Sequence, residues 1–237
     1  MGLMYWQIND IWQAPTWSTI EYNLKWKMAH YYVREMYSPL YLMTFLKPYK
    51  ANISDEKAKI SISLANDYLE LRRGQLKCSI LTCNSFSDRL AFIREISLDA
   101  STIESIYELN YHSLIKRADC FNPDACLMHC SYQDDEDDQL IEQTLFFVEP
   151  KMYQLQDPEL VIETVEKLIA TEWQITLRAS KPALFVWLEV GNDFNGYFSQ
   201  NGFHMFQPVK VIKFYSWTAR FDDPDFQLMS LFDVIKS

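Results

Sequence analysis

The side chains best suited to bond chemistry are few and scattered. Five cysteines stand at Cys78, Cys83, Cys120, Cys126 and Cys130, and the last three, with His129 beside them, have a spacing superficially like that of a metal centre. A structural zinc site wants two matched pairs, each with two to four residues between its members. No second pair of that kind exists here, so no metal is expected. The run Asp134-Asp135-Glu136-Asp137-Asp138 offers carboxylates to Ca2+, but the turn glycine of an EF-hand loop is missing, and a solvated loop is the simpler reading. His30, His112, His129 and His204 lie far apart and read as ordinary helix or strand residues rather than catalytic bases. Near the amino end the only acids are Asp10 and Glu21, eleven positions apart, expected to fix a loop and to cap a helix respectively.

Composition narrows the field. The chain has 237 residues, 49% of them hydrophobic and 23% charged, which is globular composition. Thirty-two acids against 22 bases leave a formal charge of −10, so a phosphate-binding surface of clustered Lys and Arg is not expected and nucleic acid is not the partner. No run approaches the roughly 18 consecutive apolar residues of a membrane span, and none is expected. The amino end, Met1-Gly2-Leu3-Met4-Tyr5-Trp6, lacks the basic segment, apolar stretch and cleavage site of a signal peptide. Its apolar run reads instead as a buried strand of a parallel sheet.

The elements that must position these residues fall into three stretches. Trp6, Trp12, Trp17 and Trp26 put four of the seven tryptophans into the first 26 residues. After loop signals at Asn9-Asp10 and Ala14-Pro15-Thr16, helical spacing of Trp26, Ala29, Val33 and Tyr37 predicts a helix over 22–37, stopped by Ser38-Pro39. From Leu40 the period becomes two: Ile60, Ile62 and Leu64 alternate with polar residues, and strands are predicted at 68–72, 76–82, 90–97, 126–132 and 140–148. Ser101-Thr102-Ile103-Glu104 fits a capping box, predicting a helix through about Ile115. Further strands are predicted at 161–168, 174–179, 184–190, 209–215 and 226–234, the even spacing of a β-sandwich.

A resemblance sharpens this outline. Leu3-Met4-Tyr5-Trp6-Gln7-Ile8-Asn9-Asp10-Ile11-Trp12-Gln13-Ala14-Pro15-Thr16-Trp17-Ser18, followed by Glu21-Tyr22, Lys25-Trp26-Lys27 and His30-Tyr31, resembles the lysosomal-type β-mannosidases of glycoside hydrolase family 2. A second likeness runs through Phe185-Val186-Trp187-Leu188-Glu189-Val190-Gly191, Asn201-Gly202-Phe203 and Phe214-Tyr215-Ser216-Trp217, which look like that family's C-terminal immunoglobulin-like domain. The resemblance implies a mainly β chain: residues 1–38 as the last strand, loop and helix of a (β/α)8 barrel, 40–150 as a β-sandwich with one inserted helix, and 155–237 as a second immunoglobulin-like sandwich. A complete barrel takes about 250 residues. The family's two catalytic glutamates lie on barrel strands before this stretch, so no catalytic residue is expected here, and Met1 is expected to be an internal methionine of a longer protein or the start of a truncated gene.

What the resemblance implies for sites follows residue by residue. Trp6 corresponds to the tryptophan that floors the sugar pocket, with Asn9 and Asp10 at the strand mouth as further substrate-binding candidates. A rigid indole suits the apolar C–H face of a sugar. Trp12 and Trp17 are expected to pack between barrel and sandwich. A secretory or lysosomal setting would oxidise cysteines in pairs, Cys120 with Cys126 first because Asn122-Pro123-Asp124 favours a closing turn, and an odd count of five must leave one unpaired. Asn52-Ile53-Ser54 is a glycosylation sequon. The implied partners are a β-mannoside oligosaccharide and the missing barrel, with no cofactor. The alternative from another class is a non-catalytic β-sandwich that binds carbohydrate or protein, the amino-terminal stretch being only a packing arm.

Overall fold

The computed structural model describes residues 4–47, 57–191 and 193–236; the sequon at Asn52 lies outside them. The described residues are mainly β, with fourteen strands in four antiparallel sheets and three short helices. The chain divides into two compact units: a central one, Tyr37–Leu155, and a terminal one that joins the segment up to Met36 with Gln156 onward.

The central unit is built from β1 (Leu40–Lys47), β2 (Lys59–Asn66), β3 (Arg72–Thr82), β4 (Ser85–Leu98), β5 (Thr102–Asn110), β6 (Cys126–Asp134) and β7 (Leu140–Phe146), with α2 (Tyr111–Arg117) between β5 and β6. Strands β1-β2-β5 form one sheet and β4-β3-β6-β7 the other. Period-two patterning decides which faces turn inward: Leu40, Leu42, Ile60, Ile62 and Leu64 from one sheet meet Leu76, Ile80, Met128 and Tyr132 from the other in a single core. Each fully buried aliphatic side chain contributes roughly 1.5–3 kcal/mol. Disulfides join Cys78 to Cys130, directly opposite each other on β3 and β6, and Cys120 to Cys126, while Cys83 is a buried free thiol.

Two expectations fail in this unit. The capping box at Ser101 starts no helix. Ser101 sits at φ 54° in the turn between β4 and β5, its N–H donating to Tyr68 O, and Thr102–Asn110 pairs with β2 along its whole length. Eight ladder positions outweigh one local cap; the helix begins only at Tyr111, where Asn110 Oδ1 accepts from Ser113 N at 2.9 Å. Nor are residues 68–71 of the predicted 68–72 in a strand, Arg72 alone opening β3. The buried Asn66 side chain donates to the carbonyls of Glu70, Leu98 and Asp99 and accepts from Tyr68 N, which winds that segment into a loop.

The terminal unit holds β8 (Val161–Ile169), β9 (Glu172–Arg178), β10 (Ala183–Val190), β11 (Gly196–Phe198), β12 (Phe203–Met205), β13 (Val209–Ser216) and β14 (Phe226–Met229), with α3 (Leu231–Lys236) at the end. Sheets β12-β10-β14 and β11-β13-β9-β8 enclose an aromatic core in which Trp173 and Phe214 are fully buried, with Phe226 reaching Phe214 at 5.5 Å. The predicted strand 226–234 stops at Met229, because Asp233 Oδ2 accepts from Ser230 N and Oγ and turns the chain into α3.

In the same unit α1 (Met28–Met36) is shorter than the predicted 22–37. Residues 21–25 form a tight turn instead, with Leu24 at φ 69° and Glu21 N donating to Lys25 O at 2.8 Å. The apolar run at the amino end is not a strand in its described residues: Met4 and Trp6 are exposed, and only an isolated parallel bridge links Asn9 to Ile20. A parallel strand needs parallel neighbours to take its backbone hydrogen bonds, and all ladders between named strands among the described residues are antiparallel.

Candidate functional site

The candidate site residues lie on the amino-terminal arm, and its base is fixed first. Tyr31 on α1 is buried against the C-terminal sandwich, its hydroxyl accepting from Phe198 N at 3.1 Å, and burial pushes its pKa up to about 12. Tyr32 donates to Gly202 O at 2.6 Å, and Arg34 to Ser199 O at 2.7 Å. Gly202, at φ 69°, leaves room for Met28; a Cβ there would stand 2.8 Å from the Met28 Cγ. Trp26 stacks on Tyr197 at 4.6 Å, and Tyr197 in turn on Tyr215 at 5.1 Å. The apolar face of the arm's helix is therefore covered by the sandwich with which the arm shares a unit.

Above this base Asp10 ties the loop. It is 8% exposed, and its carboxylate accepts from Thr16 Oγ1, from Ser18 Oγ and, at 3.2 Å, from Lys27 Nζ. The Ser18 and Thr16 hydroxyls, with the Lys27 ammonium beside them, hold its carboxyl below the usual aspartate range. Asp10 N also donates to Ile20 O at 2.9 Å. Thr19 Oγ1 bonds Ile8 O and His30 Nδ1, and burial, then the Arg34 charge, lowers the His30 pKa. Asp10 is thus engaged inside its own loop, whereas Trp6, 78% exposed, and the exposed Asn9 stand at its surface. The Trp6–Gln7 peptide is cis. Around Trp6 the arm displays Met4, Ile8, Ile11, Trp12 and Trp17, all exposed, with Trp17 at 84%. Trp12 and Trp17 pack between no elements among the described residues.

A cleft that the sequence did not point to lies beside this arm. It measures about 210 Å³ and is lined in part by Glu21, Asn23, Trp26, Tyr31, Trp187 and Glu189. Glu21 therefore faces a cavity rather than capping a helix. The acidic run is also more structured than a solvated loop: Asp134 is buried, Arg72 Nη1 donates to Asp134 at 3.1 Å and to Asp137 at 2.6 Å, and Tyr68 stacks on the guanidinium at 3.8 Å. An internal guanidinium thus serves as the counter-cation of that run. No three His, Cys, Asp or Glu side chains converge to hold a metal among the described residues.

An antiparallel sandwich with an aromatic core and a tryptophan-rich arm defines a class, and the comparisons agree with it: residues 155–234 match the mannosidase immunoglobulin-fold domain. More particularly, the chain is similar to the C-terminal quarter of the β-mannosidases of glycoside hydrolase family 2. A probable β-mannosidase of Caenorhabditis elegans is 29% identical over 223 residues, covering 90% of this chain and 23% of that protein. The β-mannosidase of Rattus norvegicus is 30% identical over 226 residues, covering 92% and 24%. Among solved structures, the β-D-mannosidase of Dictyoglomus thermophilum matches with a TM-score of 0.72 at 18% identity over 95% of this chain and 25% of that one. The Amycolatopsis orientalis exo-chitosanase CsxA matches with a TM-score of 0.65 at 12% identity, over 97% and 30%. The chain spans about a quarter of the length of the relatives it matches.

Proposed function

We propose that this chain forms the C-terminal, non-catalytic part of a retaining β-mannosidase, which removes terminal non-reducing β-D-mannose residues from glycoprotein oligosaccharides on the lysosomal or secretory route. In this reading the arm is the end of the catalytic barrel, its amino-terminal run becoming the last strand only beside the parallel neighbours that a strand needs; Trp6 is the aromatic floor of the sugar pocket, Asn9 and Asp10 shape its mouth, and the two sandwiches brace the barrel. The observation that carries it is the contrast within the arm. Its base is locked by Asp10, Thr16, Ser18 and Lys27 and by the Tyr31 contact, yet Met4, Trp6, Ile8, Ile11, Trp12 and Trp17 project outward. Ordered apolar side chains held in the open suit a surface made to be covered by another. Retaining hydrolysis needs two carboxyl groups about 5–5.5 Å apart. The resemblance implies that this pair belongs to barrel strands other than these residues, so the purified 237-residue chain is expected to release nothing from an aryl β-mannoside. Inhibitor-sensitive turnover by it would sink the reading. In a chain that also carries the catalytic barrel, Trp6→Ala is expected to lower kcat/KM by about two orders of magnitude, a loss of roughly 2.7 kcal/mol of transition-state binding.

A further inference from the structure

The cleft beside the arm has an aromatic wall and a polar rim. Trp187 on β10 is half-buried there, with Tyr31 edge-on at 5.9 Å, and Glu21, Asn23 and Glu189 stand with it in the lining. The deeper polar groups are already committed: Tyr31 accepts from Phe198 N, and the Asn201 amide exchanges two hydrogen bonds with the Leu188 backbone. Recognition therefore falls to the rim. Trp187 Nε1 donates to Glu189 Oε1 at 3.2 Å, which fixes the indole and leaves acceptor capacity on a carboxylate that can take about four hydrogen bonds. Glu21 adds a second carboxylate, and Asn23, whose Oδ1 accepts from Lys25 N, adds amide N–H donors. Two carboxylates against the single ammonium of Lys25 disfavour an anionic ligand. At about 210 Å³ the space is below the roughly 300–1,000 Å³ of drug-sized pockets, and suits a single ring.

A sugar ring offers an apolar C–H face on one side and hydroxyl donors around its edge, matching an indole wall with a carboxylate rim. We infer that this cleft is a carbohydrate subsite for one neutral hexose residue, with Trp187 as the platform and Glu21 and Glu189 as hydroxyl acceptors. The inference does not depend on Trp6 or on the proposed hydrolase reading.

The test is titration of the whole 237-residue chain with methyl β-D-mannopyranoside, methyl β-D-glucopyranoside and glucuronate, followed by calorimetry and ligand-observed saturation-transfer NMR. Saturable binding of the neutral glycosides with a dissociation constant of order 1 mM is expected. Glucuronate is expected to bind at least about tenfold more weakly. Trp187→Ala should abolish binding. Because Trp187 packs on Tyr31, the paired Glu21→Gln and Glu189→Gln variant supplies a second reading; it should weaken binding about tenfold with thermal unfolding unchanged. Binding that survives both cleft variants, or absence of saturation up to about 100 mM, overturns the subsite. Binding lost only on Trp6→Ala also overturns it, while leaving the proposed function intact.

Discussion

The two units solve the same problem, two antiparallel sheets closed over a core, by different means. The central unit fills its core with aliphatic side chains and crosslinks it: all five cysteines fall between Cys78 and Cys130, and two disulfides pin β6, one to β3 and one to the loop before it. The terminal unit has no cysteine in its sequence and relies on large aromatic rings and on side chains that bond backbone across great distances along the chain. Tyr31 to Phe198 N and Tyr32 to Gly202 O span 167 and 170 positions. Covalent closure makes a unit tolerant of local loss, whereas an aromatic core concentrates stability in a few contacts. The unit that carries the arm is the one without covalent insurance.

Four changes test that contrast, from the largest effect down. Trp173→Ala empties the centre of the terminal core and is expected to cost about 3–5 kcal/mol, seen as an earlier first transition in urea with the second unmoved. Replacing Cys78 and Cys130 by Ala should cost about 2–4 kcal/mol in the central unit alone. Cys83 reports which unit opens: burial, then the Asp124 charge, pushes its thiol up to about 12, so at pH 8 it should resist alkylation until the central unit unfolds. Loss of Trp173 should leave that labelling slow.

Tyr31→Phe keeps the ring but strands the buried Phe198 N–H, and is expected to loosen the arm by about 1–3 kcal/mol, read as faster hydrogen exchange at α1. The smallest effect is the pH response of the Asp10 loop. Its folded pKa lies below that of the unfolded chain, so the stabilisation is fully present above the unfolded value, about 3.9, and is lost as pH falls through the folded value. The protection factors of residues 10–20, measured by hydrogen exchange, should therefore fall in two stages: below about pH 6.5, the unfolded-chain value for histidine, because the half-buried His30 bonded to Thr19 resists the proton, and again below about pH 4 as Asp10 is protonated. Asp10→Asn should remove the lower stage.

Much of this architecture was legible in the sequence where patterning repeats. The strands containing Ile60–Leu64, Leu76–Thr82, Cys126–Tyr132 and Gln174–Arg178 follow from alternation, because a half-buried strand shows its period wherever it pairs. The local rules that failed were those overruled by distant partners: Ser101 and Glu104 make a sound capping box, yet β2 recruits Glu104 into a ladder and leaves Ser101 in the turn before it. The candidate site was legible in part. Trp6 and Asn9 stood out by type and are at the surface. Asp10 stood out too, but its partners Thr16, Ser18 and Lys27 carry no sequence signal until the loop is folded. The cleft could not be read at all, since Glu21 and Glu189 are 168 positions apart in sequence.

By itself, then, the sequence determined the β class, an acidic surface, and a tryptophan-rich beginning distinct from the rest, because composition and period are local properties. Only the tertiary structure decided that Cys78 meets Cys130, that the arm shares its unit with the C-terminal sandwich rather than with the strands that follow it, and that two glutamates and a tryptophan face one cavity. Those are matters of which surfaces bury which, and burial depends on the partner as much as on the residue.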